Sequence, residues 1–297
     1  MEFGLDDDQR ALQETARRYA REKLLPGYQE RERQGCFDLD MVREMGDLGL
    51  IAPDLPEEFG GLGVSGTTAG MLMEEIAYAD HSVSYIQLLT MLCGGVVAEF
   101  AAKDVANEYL PKFINGEKMI GLGLTEPRGG TDAANLILLA RRDGDSFVLN
   151  GEKASIPNAT QADYMVVAAR TGAEDEGARG VTAFLVDMHL PGVTRAAYND
   201  LGSRAVGRGS IWFEDVRVPA HMMVGDEGKG FTQVMRGFDY SRALIGFMCI
   251  GPAQASLDET WPYTTERHAF NRPIAEFQGV TFPLAEYETQ LLSLIHI

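Results

Sequence analysis

Cysteine is scarce in this chain, basic residues are outnumbered, and metal-binding patterns are missing. The three cysteines, Cys36, Cys93 and Cys249, are far apart and odd in number. They offer no disulfide framework and no zinc spacing, which leaves buried, reduced thiols as the expectation. The five histidines, His81, His189, His221, His268 and His296, form no H-x-x-H or H-E-x-x-H pattern, so no metal site is expected. Lys and Arg number 26 against 44 Asp and Glu, a net charge of −18. A chain this acidic suits neither nucleic acid nor an anionic membrane surface, and a polyanionic ligand would need local basic residues. The N-terminus has no basic-then-apolar leader, and no apolar run reads as long enough to span a bilayer. A cytoplasmic location follows by default.

What remains is ordinary globular composition, 45% hydrophobic and 24% charged over 297 residues, enough for one to three domains. The first part reads as helical. Asp6 and Gln9 form a capping box ahead of Leu12, Ala16 and Tyr19, and Pro26 is expected to end that helix. Further helices are expected at 39–48, 67–78, 86–100 and 107–114, the last closed by Asn115-Gly116. Met71, Met73, Met91 and Leu92 read as core. From Met119 the period changes to two. Phe147-Val148-Leu149, Asn150-Gly151 and Glu152-Lys153 spell a two-residue hairpin. Strands are expected at 164–169, 182–186 and 211–213, which suggests a β-barrel or sandwich. Gly225 to Phe231 lacks the G-K-[ST] ending of a phosphate loop and reads as a hinge. A long helix follows over 231–265, kinked at Gly251-Pro252, and a last helix starts at Phe282. The fold class is thus α+β: a helical domain over 1–118, a β domain over 119–222 and a helical bundle over 223–297.

The organising stretch is Leu122 to Asp132. Glu126-Pro127 stops regular structure, and Gly129-Gly130 lets the backbone turn and approach a ligand. Thr125 and Thr131 flank the turn with hydroxyls. Such a turn can hold an anion or a heteroaromatic edge; on its own it is equally a plain interdomain loop.

The L-T-E-P-x-x-G-T-D of this stretch resembles the loop of the acyl-CoA dehydrogenase family that lies between flavin and acyl-CoA. The Pro56-Glu57-Glu58-Phe59-Gly60-Gly61 loop, the Gly225–Phe231 passage, Phe238-Asp239-Tyr240-Ser241-Arg242 and Arg267–Gln278 extend the resemblance over nearly the whole chain. It implies an acyl-CoA dehydrogenase-like fold with an incomplete C-terminal bundle. It also implies FAD as cofactor, an acyl-CoA substrate and an electron-transfer flavoprotein as partner. Leu124 and Thr125 would contact the flavin. Gly130 and Thr131 would lie between its pyrophosphate and the acyl-CoA. Asp239 and Arg242 would approach the CoA moiety. Arg267, Phe270 and Gln278 would reach the FAD of a neighbouring subunit, which implies a homo-oligomer, a dimer or tetramer.

The chain departs from the family pattern in several places. Ser155-Ile156-Pro157 stands where W-I-T is usual, so the flavin contacts at Ser155 and Pro157 lose a covering ring, a hydroxyl and an N–H. The Ser155 change, the Phe238–Arg242 segment and Phe282–Glu286 look like the cyclohexanecarboxyl-CoA dehydrogenase-like subset, which points to an alicyclic or branched acyl group. Asn271 replaces a glycine, in a position where asparagine tolerates left-handed backbone. Ser241 occupies one of the family's two positions for the catalytic glutamate, and the E-G-[TS] loop that carries the other is not found. No residue is therefore assigned as base, and little or no turnover is expected of this chain. The apolar tail Leu291–Ile297 abandons the helical pattern, so a truncated chain with a non-native end is the expectation. Two other readings keep the fold and change the class: a flavin monooxygenase or nitroalkane-oxidase-like oxidase, and a non-catalytic fold member.

Overall fold

The computed structural model describes residues 4–296. Six helices come first: α1 (Asp7–Tyr19), α2 (Tyr28–Gln34), α3 (Leu39–Asp47), α4 (Gly66–Ala79), α5 (His81–Phe100) and α6 (Lys103–Ile114). The capping box at Asp6 and Gln9 forms in both directions. Pro26 does not end helical structure. A π-turn at Ala20–Leu24 and a tight turn at Leu25–Gly27 absorb its missing N–H, and helix resumes until Gly35, at φ 72°. Helix α5 is long and apolar enough to cross a membrane by length and composition, contrary to the sequence reading. Yet 72% of its apolar window is buried inside this fold. It is the axis of the helical core, packed on α4, α6 and the first strand.

Eight strands make one sheet: β1 (Ile120–Gly123), β2 (Leu139–Asp143), β3 (Ser146–Ile156), β4 (Tyr164–Arg170), β5 (Val181–Asp187), β6 (Val193–Ala197), β7 (Gly209–Pro219) and β8 (Met223–Val224). The order is β6-β7-β3-β2-β4-β5-β8, with β1 parallel to β4. The Phe147 and Phe184 rings meet at 4.8 Å, so the β3 and β5 faces share one core.

The hairpin expected at Asn150-Gly151 is not there. Strand β3 runs straight through both residues, and the two-residue turn lies at Gly144-Asp145, where Asp143 pairs with Ser146. Gly151 is needed for another reason. A Cβ on it would sit 2.9 Å from the Cα of Leu138. Opposite Asn150, β7 carries one extra residue: Leu149 pairs with Val216 and Gly151 with Phe213. Asp215 takes the left-handed backbone at this bulge, φ 52°. Its N–H donates to Asn150 Oδ1 at 3.0 Å, and Asn150 Nδ2 donates back at 3.0 Å. A second bulge reverses the count. Lys153 pairs with Ile211 and Ile156 with Gly209, and Ser155, at φ 62°, lies in the surplus.

Helix α7 (Gly230–Glu266) runs 37 residues and continues through Pro252 and Pro262. Gly251 lets it cross α4 closely, for a Cβ there would fall 2.5 Å from the Glu74 carbonyl oxygen. The Gly225–Phe231 passage docks this helix on β5: the Gly228 N–H donates to Thr182 Oγ1 at 2.9 Å. After α7 come β9 (His268–Ala269), β10 (Arg272–Pro273) and α8 (Gln278–His296), which starts four residues before the expected Phe282. Phe270 and Asn271, at φ 54° and 65°, close the β9–β10 turn. Two consecutive positive φ values are what such a two-residue turn requires, and Asn271 meets that requirement. Leu291 is buried in a small cluster with Ile250, Leu257 and Leu284. Ile297, the end of the apolar tail, lies outside the described residues.

Met71, Met73, Met91 and Leu92 are core as expected. The thiols only partly follow expectation: Cys93 is buried, but Cys36 and Cys249 are exposed. Burial pushes the Cys93 thiol pKa well above its ordinary value, and its Sγ donates to the Gly121 carbonyl.

Candidate active site

The site forms where strand ends and helix faces converge. Strand β1 delivers Leu124 and Thr125, β3 delivers Ser155 to Pro157, and α5 and α7 close the opposite wall. An apolar cavity of about 390 Å³ lies among them, with Tyr85 and Leu88 from α5 and Phe238, Ser241, Ile245 and Met248 from α7. Those α7 positions recur at helical spacing on one face. A second cavity, also about 390 Å³, shares Leu124 and is lined by Glu126, Arg128, Gly129, Gly130, Thr131 and Asp132. A third shares Tyr85 and Pro157 and reaches Asp200 and Arg208. The result is a cleft, polar at the glycine turn and apolar between the helices.

Buried charge fixes the glycine-turn wall from beneath. Lys153 is fully buried, and its Nζ donates to the Leu124 carbonyl at 3.0 Å and to Glu126 Oε1 at 2.8 Å. The Glu126 carboxylate also accepts from the N–H groups of Ile137 and Leu138, at 2.7 and 2.9 Å. The Thr125 carbonyl accepts from the Ala154 N–H at 2.9 Å. Burial pulls the Lys153 pKa down to about 8, against the opposing pull of Glu126. Arg170 is buried as well, and its guanidinium donates to the carbonyls of Leu136, Ala134, Ala173 and Gly177 at 2.8 to 3.2 Å. Neither Lys153 nor Arg170 was singled out from sequence. For Arg170 the available signal was a cation closing an apolar strand, Tyr164–Arg170; Lys153, beside Glu152, gave none.

The expected residues divide into three groups. Leu124, Thr125, Ser155, Pro157 and Ser241 line the apolar cavity, and Gly130 and Thr131 line the polar one. Ser155 is already committed: its N–H donates to Tyr198 Oη at 3.1 Å, and its Oγ accepts from Arg208. Arg208 in turn donates through Nε to Asp200 at 2.9 Å. Ser241 is buried, with its Oγ donating to the Phe238 carbonyl. Asp239 and Arg242 lie off the cavity face and pair with each other at 3.2 Å, both exposed. Arg267, Phe270 and Gln278 are at the far end of α7, with Arg267 about 39 Å along the helix from Ser241 at 1.5 Å per residue. Phe270 is 90% exposed there. Within one chain these three do not meet the cleft.

No residue lining the apolar cavity is a carboxylate; its titratable side chains are His81, Tyr85 and Cys249. His81 Nδ1 faces the Met248 carbonyl at 3.3 Å. A carbonyl can only accept, so in that contact Nδ1 carries the proton. No group of three or more metal-ligating side chains is found among the described residues.

The residues present suit a flavin at one wall of the cleft. The Gly130 and Thr131 amides have no acceptor among the described residues, and Gly129 takes φ 139°, which a side chain would resist. The opposite strand end suits it less: the Ser155 N–H is spent on Tyr198 and its Oγ already accepts from Arg208, which leaves only the hydroxyl proton to donate, and Pro157 has no donor.

Three family models cover the chain in order: acyl-CoA dehydrogenase N-terminal domain over residues 6–117, middle domain over 121–216 and C-terminal domain over 228–294. The chain is 35% identical over 291 residues to the mitochondrial short-chain specific acyl-CoA dehydrogenase of Rattus norvegicus, spanning 97% of this chain and 70% of that protein. It is 33% identical over 289 residues to the mitochondrial isobutyryl-CoA dehydrogenase of Dictyostelium discoideum, spanning 97% and 69%. The structure of butyryl-CoA dehydrogenase from Megasphaera elsdenii superposes with a TM-score of 0.93 at 31% identity, covering 99% of this chain and 78% of that one.

Proposed function

Since this chain belongs to the acyl-CoA dehydrogenase family, we propose that it serves the FAD-dependent α,β-dehydrogenation of an acyl-CoA thioester with a small branched or alicyclic acyl group. The observation that carries this reading is the convergence of Leu124–Thr125 and Gly130–Thr131 on a cleft with one polar and one apolar end. Bound FAD supplies a hydride acceptor. The chain's own residues do the rest. The Gly130 and Thr131 amides and the Arg128 side chain face a phosphate-bearing ligand. Phe238, Ile245 and Met248, with Leu88 and Leu92 opposite, hold an apolar acyl group and keep water away. The relative named for isobutyryl-CoA supports a branched group, and those named for short chains support a small one.

Proton removal is the step these residues do not supply. The Ser241 hydroxyl donates inward to a carbonyl and cannot act as a carboxylate base. This chain by itself should turn over little or no acyl-CoA. Asp239 and Arg242 would meet the CoA moiety only from the outer face of α7. Arg267, Phe270 and Gln278 would serve the cleft of a second copy, in a dimer or tetramer. Electrons would pass to an electron-transfer flavoprotein, in the cytoplasm. The division at 118/119 and 222/223 goes with this reading.

The deciding measurement is a visible absorption spectrum of the purified chain with FAD, before and after an alicyclic or branched acyl-CoA. Bound flavin without bleaching is the expected outcome. Bleaching would mean that a base exists within these residues. Failure to bind FAD would remove the proposal's cofactor.

A further inference from the structure

The loop from Leu124 to Leu138 lines the polar cavity, yet little regular structure holds it. Glu126, which lines the cavity, holds the N–H groups of Ile137 and Leu138; the loop carbonyls at Leu124, Ala134 and Leu136 are held by two cations that do not line it. Lys153 takes the first carbonyl, at Leu124. Arg170 takes the carbonyls of Ala134 and Leu136, at 2.9 and 2.8 Å, and reaches on to Ala173 and Gly177. Arg170 is 4% exposed and makes no ion pair among the described residues. A buried guanidinium is costly unless its donors find partners, and every hydrogen bond this fork makes among the described residues goes to a carbonyl. With carbonyls held inward at 124 on one side and at 134 and 136 on the other, the 129–132 turn between them faces out.

We propose that Arg170 is a positioning residue for the polar cavity: by holding two loop carbonyls from beneath, it presents the 129–132 backbone to a phosphate-bearing ligand. The ligand part of this inference rests on the proposed function; the loop part does not.

The test uses the whole chain and two readouts. The first is amide exchange in ligand-free protein at Asn135, Ile137 and Leu138, whose N–H groups are bonded within the loop. In R170M their exchange should quicken at least tenfold, while Val166, Val167 and Ala168 in β4 stay unchanged. The second is the FAD dissociation constant, which should rise at least tenfold in R170M. R170K keeps the charge but reaches fewer carbonyls, so it should lie between, and it serves where R170M does not fold. Equal acceleration in loop and strand, or unchanged FAD affinity with a loosened loop, would overturn the positioning role. If the wild-type chain binds no FAD, the proposed function fails, and the exchange result still decides whether Arg170 shapes the loop.

Discussion

At the scale of single residues, the site depends on buried charges that brace it from beneath. Replacing Lys153 by methionine strands Glu126 as a buried, unpaired carboxylate. That should cost about 3–5 kcal/mol, read from urea unfolding; a loss below about 1 kcal/mol would mean that water reaches Glu126. The pH dependence has a definite sign. The Lys153 pKa is near 8 when folded and about 10.4 when unfolded, so between those values the unfolded chain binds more protons. Its contribution to stability therefore rises with pH across that window. Wild type should gain on K153M between pH 8 and 10, and parallel curves would refute the shift. A second residue-scale prediction concerns Ser241. It lines the cavity, so S241E places a carboxylate where none exists. If the proposed chemistry holds, the variant should bleach bound flavin with acyl-CoA at least tenfold faster than wild type under the same conditions.

Legibility at this scale was uneven. The turn glycines and threonines announced themselves because their chemistry is local. Arg170 did not, because its partners at 134, 136, 173 and 177 become neighbours only when β2, β4 and the following loop assemble. Ser155 was read as a loss relative to an aromatic residue. Its engagement with Tyr198 and Arg208 depends on a left-handed backbone that sequence did not reveal.

Among elements, most helices were placed from sequence, since caps and apolar stripes are near-neighbour signals, but α2 was not expected, and α5 and α6 start five and four residues before the expected 86 and 107. Pro26 misled because a π-turn can take up what a proline removes. Asn150-Gly151 misled for a related reason. The pair favours a tight turn, but here asparagine bonds across to Asp215 and glycine makes room for Leu138. The closeness of α4 and α7 was likewise invisible in the sequence. Gly251→Val would push a side chain against the backbone at Glu74 and Tyr78, and should cost about 3 kcal/mol through overpacking. Thermal unfolding would show it. A neutral result would mean that α7 can slide on α4.

For the whole molecule, the order helix, strand, helix was legible from the change of period near Met119 and back again near Phe231. A barrel or sandwich was legible as well, but the strand order was not, because contacts such as Phe147–Phe184 join strands from separate hairpins. The charge of −18 carries a prediction at this scale. A polyanion approaching the cleft meets long-range repulsion, which salt screens. Association of acyl-CoA should therefore quicken several-fold between about 10 mM and 150 mM salt. Stopped-flow rates that fall instead would mean that local cations such as Arg128 and Arg170 dominate the field.

The bulge at Asp215 has a consequence for how this chain can change over generations. Ile211 and Phe213 before it, and Val216 and Val218 after it, all face the core, although strict alternation would put the two pairs on opposite sides. One surplus residue restores the phase. What matters at 215 is that a residue is present, more than which one it is. D215N and D215G should leave soluble, folded protein, since both accept left-handed backbone. Deleting the single codon would turn one pair of apolar side chains to water, and that chain should aggregate on expression. At this position lineages can drift in spelling but not in length.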